Sequence, residues 1–599
     1  MKELEYPFDA EDIIKRKKSL KKELLNNDKQ VFIEKKIAIL GGVTTNSIMN
    51  MLELFLLNYG IKPSFYESEY NQYYEDGMFP NPELEAFAPD IIYVCTSIRN
   101  IAHFPTLSDD KTLVDNKLSA VGDKFRNLWS HLMEIYKCPI IQNNFEYPYF
   151  RLMGNKDASD IHGRVNFITR LNLDFYEYAQ THENFYICDI NYISASFGLD
   201  KWSDPYYWHM YKYATTLPAI PYLSFNVANI IKSVYGKNKK VLNLDMDNTL
   251  WGGIVGDDGA DNIEIGQETP LAQTYSEFQE YLKLHKQLGV LLTVNSKNEE
   301  ENALSGLRRP DSVLKEDDFV LIKANWDPKS QNLAKTADEL GLLPDSFVFV
   351  DDNPAERSII TAQIPGAAVP EIDSVEHYIK TLDRSGFFEV TALSGDDLKR
   401  TEMYKENAKR SKLQASFDNY EDYLKSLEMK AEIQNFIPAY MSRIAQLTNK
   451  SNQFNLTTKR FTQNDIETIA NDPEHITLYG KLADKFGDNG VVSVVIGKIA
   501  GEGNDELHME LWLMSCRVLK RDMEYAMMDE LVNKAKAAGI KRIVGYYYPT
   551  AKNGMVKEFY KLQGFDKVKE DEDGNTVWNF DITDDYEEKN RVIDVIKEI

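Results

Sequence analysis

Apolar runs of strand length alternate with helical periodicity through the first third of the chain. KKIAILGG carries a strand at 37–40, and DIIYVCTSI, CPIIQNN and FYICDIN carry others within 90–98, 138–144 and 185–191. Between them lie helix-period segments: SIMNMLELFLLNYG after the cap cluster TTNS, and a second over 115–136. Strands alternating with helices predict an α/β domain over 31–225. A charged amphipathic helix precedes it within 1–30, and 226–240 bridges to the next part. VLNLDMDNTLWGG, GVLLTVNSKN and SFVFVDDNPAER then place three more buried strands in a second domain, 240–385. A polar linker helix over 386–420 leads to a third domain, 421–585, and a tail, 586–599. In the third domain VVSVVIGKI reads as a strand by its β-branched run. Residues 508–540 then read as strand, turn and long helix, and 541–565 as strand and helix.

Composition narrows the function. The chain has 599 residues, 43% of them hydrophobic, enough for several cores. A net charge of −25 argues against general nucleic-acid binding and against an anionic membrane surface. Neither a signal-peptide run nor an apolar stretch of about 18 residues occurs, so nothing is expected to span a membrane. The four cysteines, Cys95, Cys138, Cys188 and Cys516, form no C-x-x-C pair, which predicts no zinc site or disulfide framework and a reducing cytoplasm.

The chemistry sits where the second domain's strands end. The first ends in D-x-D-x-T, with Asp245, Asp247 and Thr249; the second ends at Ser296; the third runs into Asp351–Asp352. Between them, NWDPKS places Lys329 just past Pro328, at a helix start. In open α/β sheets the carboxyl edge is where ligands sit. Four such signals in this order resemble the haloacid dehalogenase-like (HAD) phosphatase superfamily. Phosphoryl transfer assigns the roles. Asp245 is the nucleophile that becomes an aspartyl-phosphate, and Asp247 is the general acid/base. Ser296 and Lys329 hold the phosphoryl oxygens, with Lys323 read as a solvated strand-end charge. Mg²⁺ takes oxygen ligands, here Asp245, the carbonyl of Asp247 and Asp351, with Asp352 in reserve. WGGIVGDDGADNIEIGQETP is too short for a full cap, so the pocket is expected to admit a bulky, protein-tethered substrate.

The first domain loosely resembles the SGNH-hydrolase fold but lacks its catalytic set. GGVTTNS stands where the nucleophilic serine belongs, and Asp204 and His209 are five apart rather than three. A non-catalytic domain is expected. The third domain resembles a GNAT-like acyltransferase, ending in YKLQGF. Its pyrophosphate loop departs from R-x-x-G-x-G/A: after Arg517, Lys520 and Asp522 replace the glycines, which disfavours acetyl-CoA.

A HAD phosphatase followed by NKSNQFNLTTKR, DKFGDNG, LMSCRV and AKNGMVKEFYKLQGF resembles the FkbH-like family. The resemblance implies that 1,3-bisphosphoglycerate, a phosphorylated three-carbon substrate, is dephosphorylated. It also implies that the glyceryl group is loaded as a thioester on the phosphopantetheine thiol of an acyl carrier protein, for polyketide extender units. Arg517 and Asn553 are where it puts cofactor binding. A two-step transfer needs a thiol near positive charge, which singles out Cys516 beside Arg517, Lys520 and Arg521, at the expected mouth of the third domain. The same cysteine also reads as a small residue at a strand end. Two other functions stay open: a GNAT-type transferase using an acyl-CoA with the HAD domain auxiliary, and a binding scaffold.

Overall fold

The computed structural model describes every residue except 28–30, 415, 502, 504, 551 and 597–599, and the side chains of 396, 411 and 412. The chain forms two compact units, Met1–Val234 and Tyr235–Ile599. No helix among the described residues is long and apolar enough to cross a membrane.

The first unit is a five-stranded parallel sheet: β1 (Ile33–Gly41), β2 (Ile61–Glu67), β3 (Ile91–Cys95), β4 (Ile140–Asn143) and β5 (Phe185–Cys188). Their order is β2-β1-β3-β4-β5. Helices Lys111–Tyr136 and Arg164–Thr181 press Phe125, Trp129 and Phe175 onto β3 and β4. The amino-terminal helix is Ala10–Leu25, capped by Asp9; the last three residues of the expected 1–30 segment lie outside the described residues. The segment read as a bridge from 226 is instead part of a buried helix, Ile220–Val234, that closes this unit.

At the carboxyl edge of this sheet Glu146 is buried, and its carboxylate accepts from the Ile98 amide at 3.2 Å. Burial pushes its pKa from 4.5 up to about 7. The ionised form is therefore disfavoured in the fold. That cost is absent below pH 4.5 and complete above pH 7. Glu146→Gln keeps an acceptor for Ile98 and removes the charge. It is expected to stabilise the first unit by about 3 kcal/mol at pH 8 and by little at pH 4.5. Calorimetric melting at the two pH values decides; equal shifts at both would refute the account.

The second unit carries two sheets. β6 (Val241–Leu244), β7 (Leu291–Ser296), β8 (Leu321–Ala324) and β9 (Phe347–Val350) form a parallel sheet ordered β8-β7-β6-β9. β6, β7 and β9 are buried throughout, under helices such as Pro270–Gln287 and Lys329–Leu340, and therefore read as continuous apolar runs, while the edge strand β8 is mostly half-buried. The other sheet is mixed and nine-stranded: β10 (Met429–Gln434), β11 (Phe454–Asn455), β12 (His475–Asp484), β13 (Gly487–Ala500), β14 (Glu506–Met514), β15 (Arg542–Tyr547), β16 (Asp566–Glu570), β17 (Thr576–Asp581) and β18 (Ile593–Ile596). The expected order of strand, turn, long helix and strand is present from β14 through helix Met523–Ala537 to β15.

Two expectations change here. The tail contributes β18, which pairs in parallel with β10, Met429 against Ile593. The linker helix, observed at Arg400–Gln414, is no free bridge. Tyr404 packs into the phosphatase-side core with Val241 and Leu340, and Arg410 makes two 2.7 Å bonds to Asp484.

Candidate active site

Register builds the site. β6 pairs with both β7 and β9, with Leu244 level with Val294 and Val350. The next residues, Asp245 and Asp351, therefore leave the sheet side by side at its carboxyl edge. Lys329 opens its helix after Pro328 and turns its ammonium between them, 2.9 Å from Asp245 and 2.6 Å from Asp351. All three are buried. Asn295, on β7, fixes that helix start by donating to the Lys329 carbonyl at 2.9 Å and to Asn243 at 3.1 Å. Ser296, also buried, ends β7 at the same edge.

Asp247 is aimed by the segment that follows it. Its Oδ1 accepts from the Trp251 indole at 2.9 Å and the Val255 amide at 3.0 Å, and its Oδ2 from Asn298 at 3.0 Å. Asn248 sits at φ 54, in the left-handed region that the tight D-x-D-x-T turn needs. Its carbonyl accepts from Tyr275 and Tyr378, which fix the turn. Thr249 accepts from the Asp352 amide at 3.2 Å, tying the first motif to the last.

Charge is unbalanced. Burial raises the Asp245 pKa against the pull of Lys329. Burial, with Asp245 adding to it, pushes Asp351 up to about 6. Asp352 is raised by burial and by Asp351, and Asp247 by burial. Burial opposes the charge on Lys329, but Asp245 and Asp351 outweigh it and hold the pKa above its usual value. Asp245, Asp351 and Asp352 each offer an oxygen within 4.8 Å of the others, the one such group among the described residues. Three carboxylates facing one ammonium leave uncompensated negative charge, and an all-oxygen donor set of this kind suits a hard divalent cation. Asp351 is the more committed ligand: its oxygens already accept from Lys329 and from the Asn353 amide at 2.9 Å.

The structure thus brings together Asp245, Asp247, Ser296, Lys329, Asp351 and Asp352. Lys323 stands apart, paired with Glu339. Trp251, Val255, Asn295 and Asn298 were not expected; the signal available was only their place inside or beside the motif strings. Cys516, Arg517 and Asn553 do not join the site. Cys516 packs against the core cluster under this sheet and lines one cavity with Lys240 and Ser346, the residues just before β6 and β9, so it lies at the opposite, amino edge of the sheet. The expected placement at the mouth of the third domain is corrected accordingly. Arg517 is buried beside it and donates from Nε to Ser515 at 3.3 Å. Asn553 is fully buried, donates to the carbonyls of Asn455 and Tyr548 at 2.9 Å each, and accepts from the Thr550 amide at 2.7 Å. Its amide is spent holding a loop, which corrects its expected cofactor role.

Lys520 and Asp522 have φ of 63° and 60°. The loop keeps the left-handed backbone that glycines would favour, at about 1 kcal/mol or more per residue. Asp522 and Glu524, whose pKa burial pushes to about 7, place two carboxyl groups at the head of helix Met523–Ala537. In the first unit Asp204 caps a helix through the Tyr206 amide at 2.7 Å, and His209 is exposed on that helix.

A family model described as "FkbH, N-terminal domain" matches residues 36–232. Among solved structures, the N-terminal part of the protein BF1531 from Bacteroides fragilis, described as containing a phosphatase domain complexed with Mg, is 30% identical. The match covers 63% of this chain and 99% of that one, with a TM-score of 0.58. An acetyltransferase of the GNAT family from Streptococcus pneumoniae is 13% identical over 26% of this chain and 100% of its own, with a TM-score of 0.22. The GNAT domain of S. lividans PAT is 16% identical over 25% and 89%, with a TM-score of 0.21. A comparison with curated proteins gives no match.

Proposed function

The chain belongs to the FkbH-like family of HAD-type phosphatases, and from that membership we propose that it dephosphorylates a three-carbon acyl group derived from 1,3-bisphosphoglycerate and loads it on an acyl carrier protein. The observation that carries the phosphatase chemistry is the Asp245–Lys329–Asp351 constellation, with ion pairs of 2.9 and 2.6 Å at one sheet edge.

A carboxylate oxygen of Asp245 attacks phosphorus in line. The bond from phosphorus to the leaving oxygen breaks, and Asp247 delivers the proton to that oxygen. Water then attacks the aspartyl-phosphate, giving its proton back to Asp247 and freeing Asp245. Trp251, the Val255 amide and Asn298 hold Asp247 on the reacting line throughout. Lys329 and Ser296 bind the phosphoryl oxygens. Asp245, Asp351, Asp352 and the Asp247 carbonyl would hold Mg²⁺, which supplies charge neutralisation for the transferring group.

Acyl transfer is assigned to Cys516. Its thiolate would attack the acyl carbon of the acyl phosphate, expelling phosphate and leaving a thioester, which the carrier thiol then takes. The four residues of β6 separate the Cys516 edge from Asp245 by roughly 13 Å. A group fixed on Cys516 therefore cannot present its phosphate to Asp245. The reading supported by this spacing has the phosphatase act on a group carried by a long, mobile arm.

The test is intact-mass analysis of purified carrier protein incubated with the enzyme, Mg²⁺ and 1,3-bisphosphoglycerate. A glyceryl adduct without phosphate is expected from the wild type, and an unloaded carrier from Cys516→Ser. Full loading by Cys516→Ser would remove this cysteine from the scheme, and no loading by the wild type would remove the carrier.

A further inference from the structure

Within the second unit a cavity of about 100 Å³ lies between the amino edge of the phosphatase sheet and the third domain. That space is several times the ~10–15 Å³ one water needs, so it admits a compact polyatomic ligand. Its wall carries Lys240, Arg400, Arg443, Lys450, Arg517 and Lys552. Only two carboxylates, Asp345 and Asp397, face them. The lining thus has a net charge of +4 inside a chain whose net charge is −25.

The two carboxylates are already engaged. Asp397 accepts from Arg400 and from Lys450, the latter at 3.3 Å, and Asp345 pairs with Lys552. Lys240, held at the start of β6 by its backbone bond to Ser346, has no carboxylate partner among the described residues. Burial lowers its pKa and that of Lys450, the latter to about 8. Like charges gathered in a partly desolvated space cost stability unless an anion joins them.

We propose that this cavity is an anion site for a small phosphomonoester, separate from the phosphatase centre and on the far edge of the same sheet. A phosphate dianion offsets half of the excess charge, and its terminal oxygens accept from several ammonium and guanidinium donors at once. A singly charged carboxylate or chloride would do less of both. The Cys516 thiol and the Tyr404 hydroxyl, 3.6 Å apart, form one wall, so a phosphate bound here lies beside a sulfur. The inference goes beyond the reading of Asp245 and stands without it.

The experiment uses the full chain in EDTA. Without a divalent cation the three carboxylates at the other edge repel phosphate, so binding reports the cavity alone. Inorganic phosphate and glycerol 3-phosphate are titrated by calorimetry and by melting temperature, with glycerol as the uncharged control. Both phosphates are expected to bind and raise the Tm, and glycerol to do neither. Asp245→Asn should bind them as the wild type does. Lys240→Met should weaken them at least tenfold while raising the ligand-free Tm, because it relieves repulsion, and Lys450→Met, which also gives up its pair with Asp397, should weaken them at least tenfold. A merely structural Lys240 would lower that Tm on removal. No phosphate-dependent shift in the wild type, or unchanged affinity in both lysine variants, overturns the proposal. Coenzyme A binding as tightly as glycerol 3-phosphate would overturn the restriction to a small monoester.

Discussion

Asp245→Asn releases no phosphate above background, a loss on the order of four decades or more, and stays folded. The amide has the shape of the carboxylate but cannot form an acyl phosphate, so the two-step route is closed rather than slowed. The fold survives because the backbone bond from Asp245 to the Val350 carbonyl, 2.9 Å, does not involve the side chain. Lys329 keeps Asp351 at 2.6 Å. Removing one of several mutually repelling carboxylates also relieves the cluster, so the metal-free melting temperature is expected to hold or rise. Phosphate release from a small aryl phosphate, measured with melting on the same sample, separates lost chemistry from lost structure. Turnover within tenfold of wild type would mean that another residue is the nucleophile.

That assignment was legible because its signals are local. Each proposed catalytic group lies at the end of a short apolar run or opens a helix, and both features are written in consecutive residues. The supports of the site are not local. Asn298 reaches Asp247 across 51 residues, and Asn295 holds the carbonyl of Lys329 across 34. Such contacts follow from strand register, which no single segment encodes.

The edge strands escaped for a related reason. β2 contains Pro63 and is mostly half-exposed, as an edge permits, so it lacks a buried run. β18 owes its existence to pairing with β10, far earlier in the chain. At Lys520 and Asp522 the lost glycines were read as disfavouring acetyl-CoA, and both residues adopt the left-handed backbone that glycine would favour. Cys516 was read from its neighbours in sequence, whereas its position is set by how the third domain packs on the phosphatase sheet. Only the folded unit shows that the thiol and Asp245 face opposite edges.

Chelation abolishes phosphate release and Mg²⁺ restores it, and the carboxylate variants divide this dependence in a defined way. At neutral pH the metal-free cluster is strained by charge. Burial and Asp245 push Asp351 up to about 6 from an ordinary 3.8, so its ionised form costs on the order of 3 kcal/mol above pH 6 and nothing below pH 3.8. A divalent cation reverses the sign of this local field. Mg²⁺ should therefore raise the melting temperature of the wild type at pH 7.5 and do progressively less as pH falls below 6. Asp352 carries no side-chain ion pair among the described residues, whereas Asp351 also holds Lys329. Asp352→Asn removes a ligand with little else attached. It is expected to raise the ligand-free melting temperature, weaken Mg²⁺ at least tenfold, about 1.4 kcal/mol, and leave Lys329 in place. Asp351→Asn is expected to weaken Mg²⁺ by as much and also to lower turnover at saturating Mg²⁺, because Lys329 loses its 2.6 Å partner. Metal titration of phosphatase activity, with melting in EDTA and in Mg²⁺, reads all of these. Unchanged Mg²⁺ dependence in both variants would show that the cation sits elsewhere.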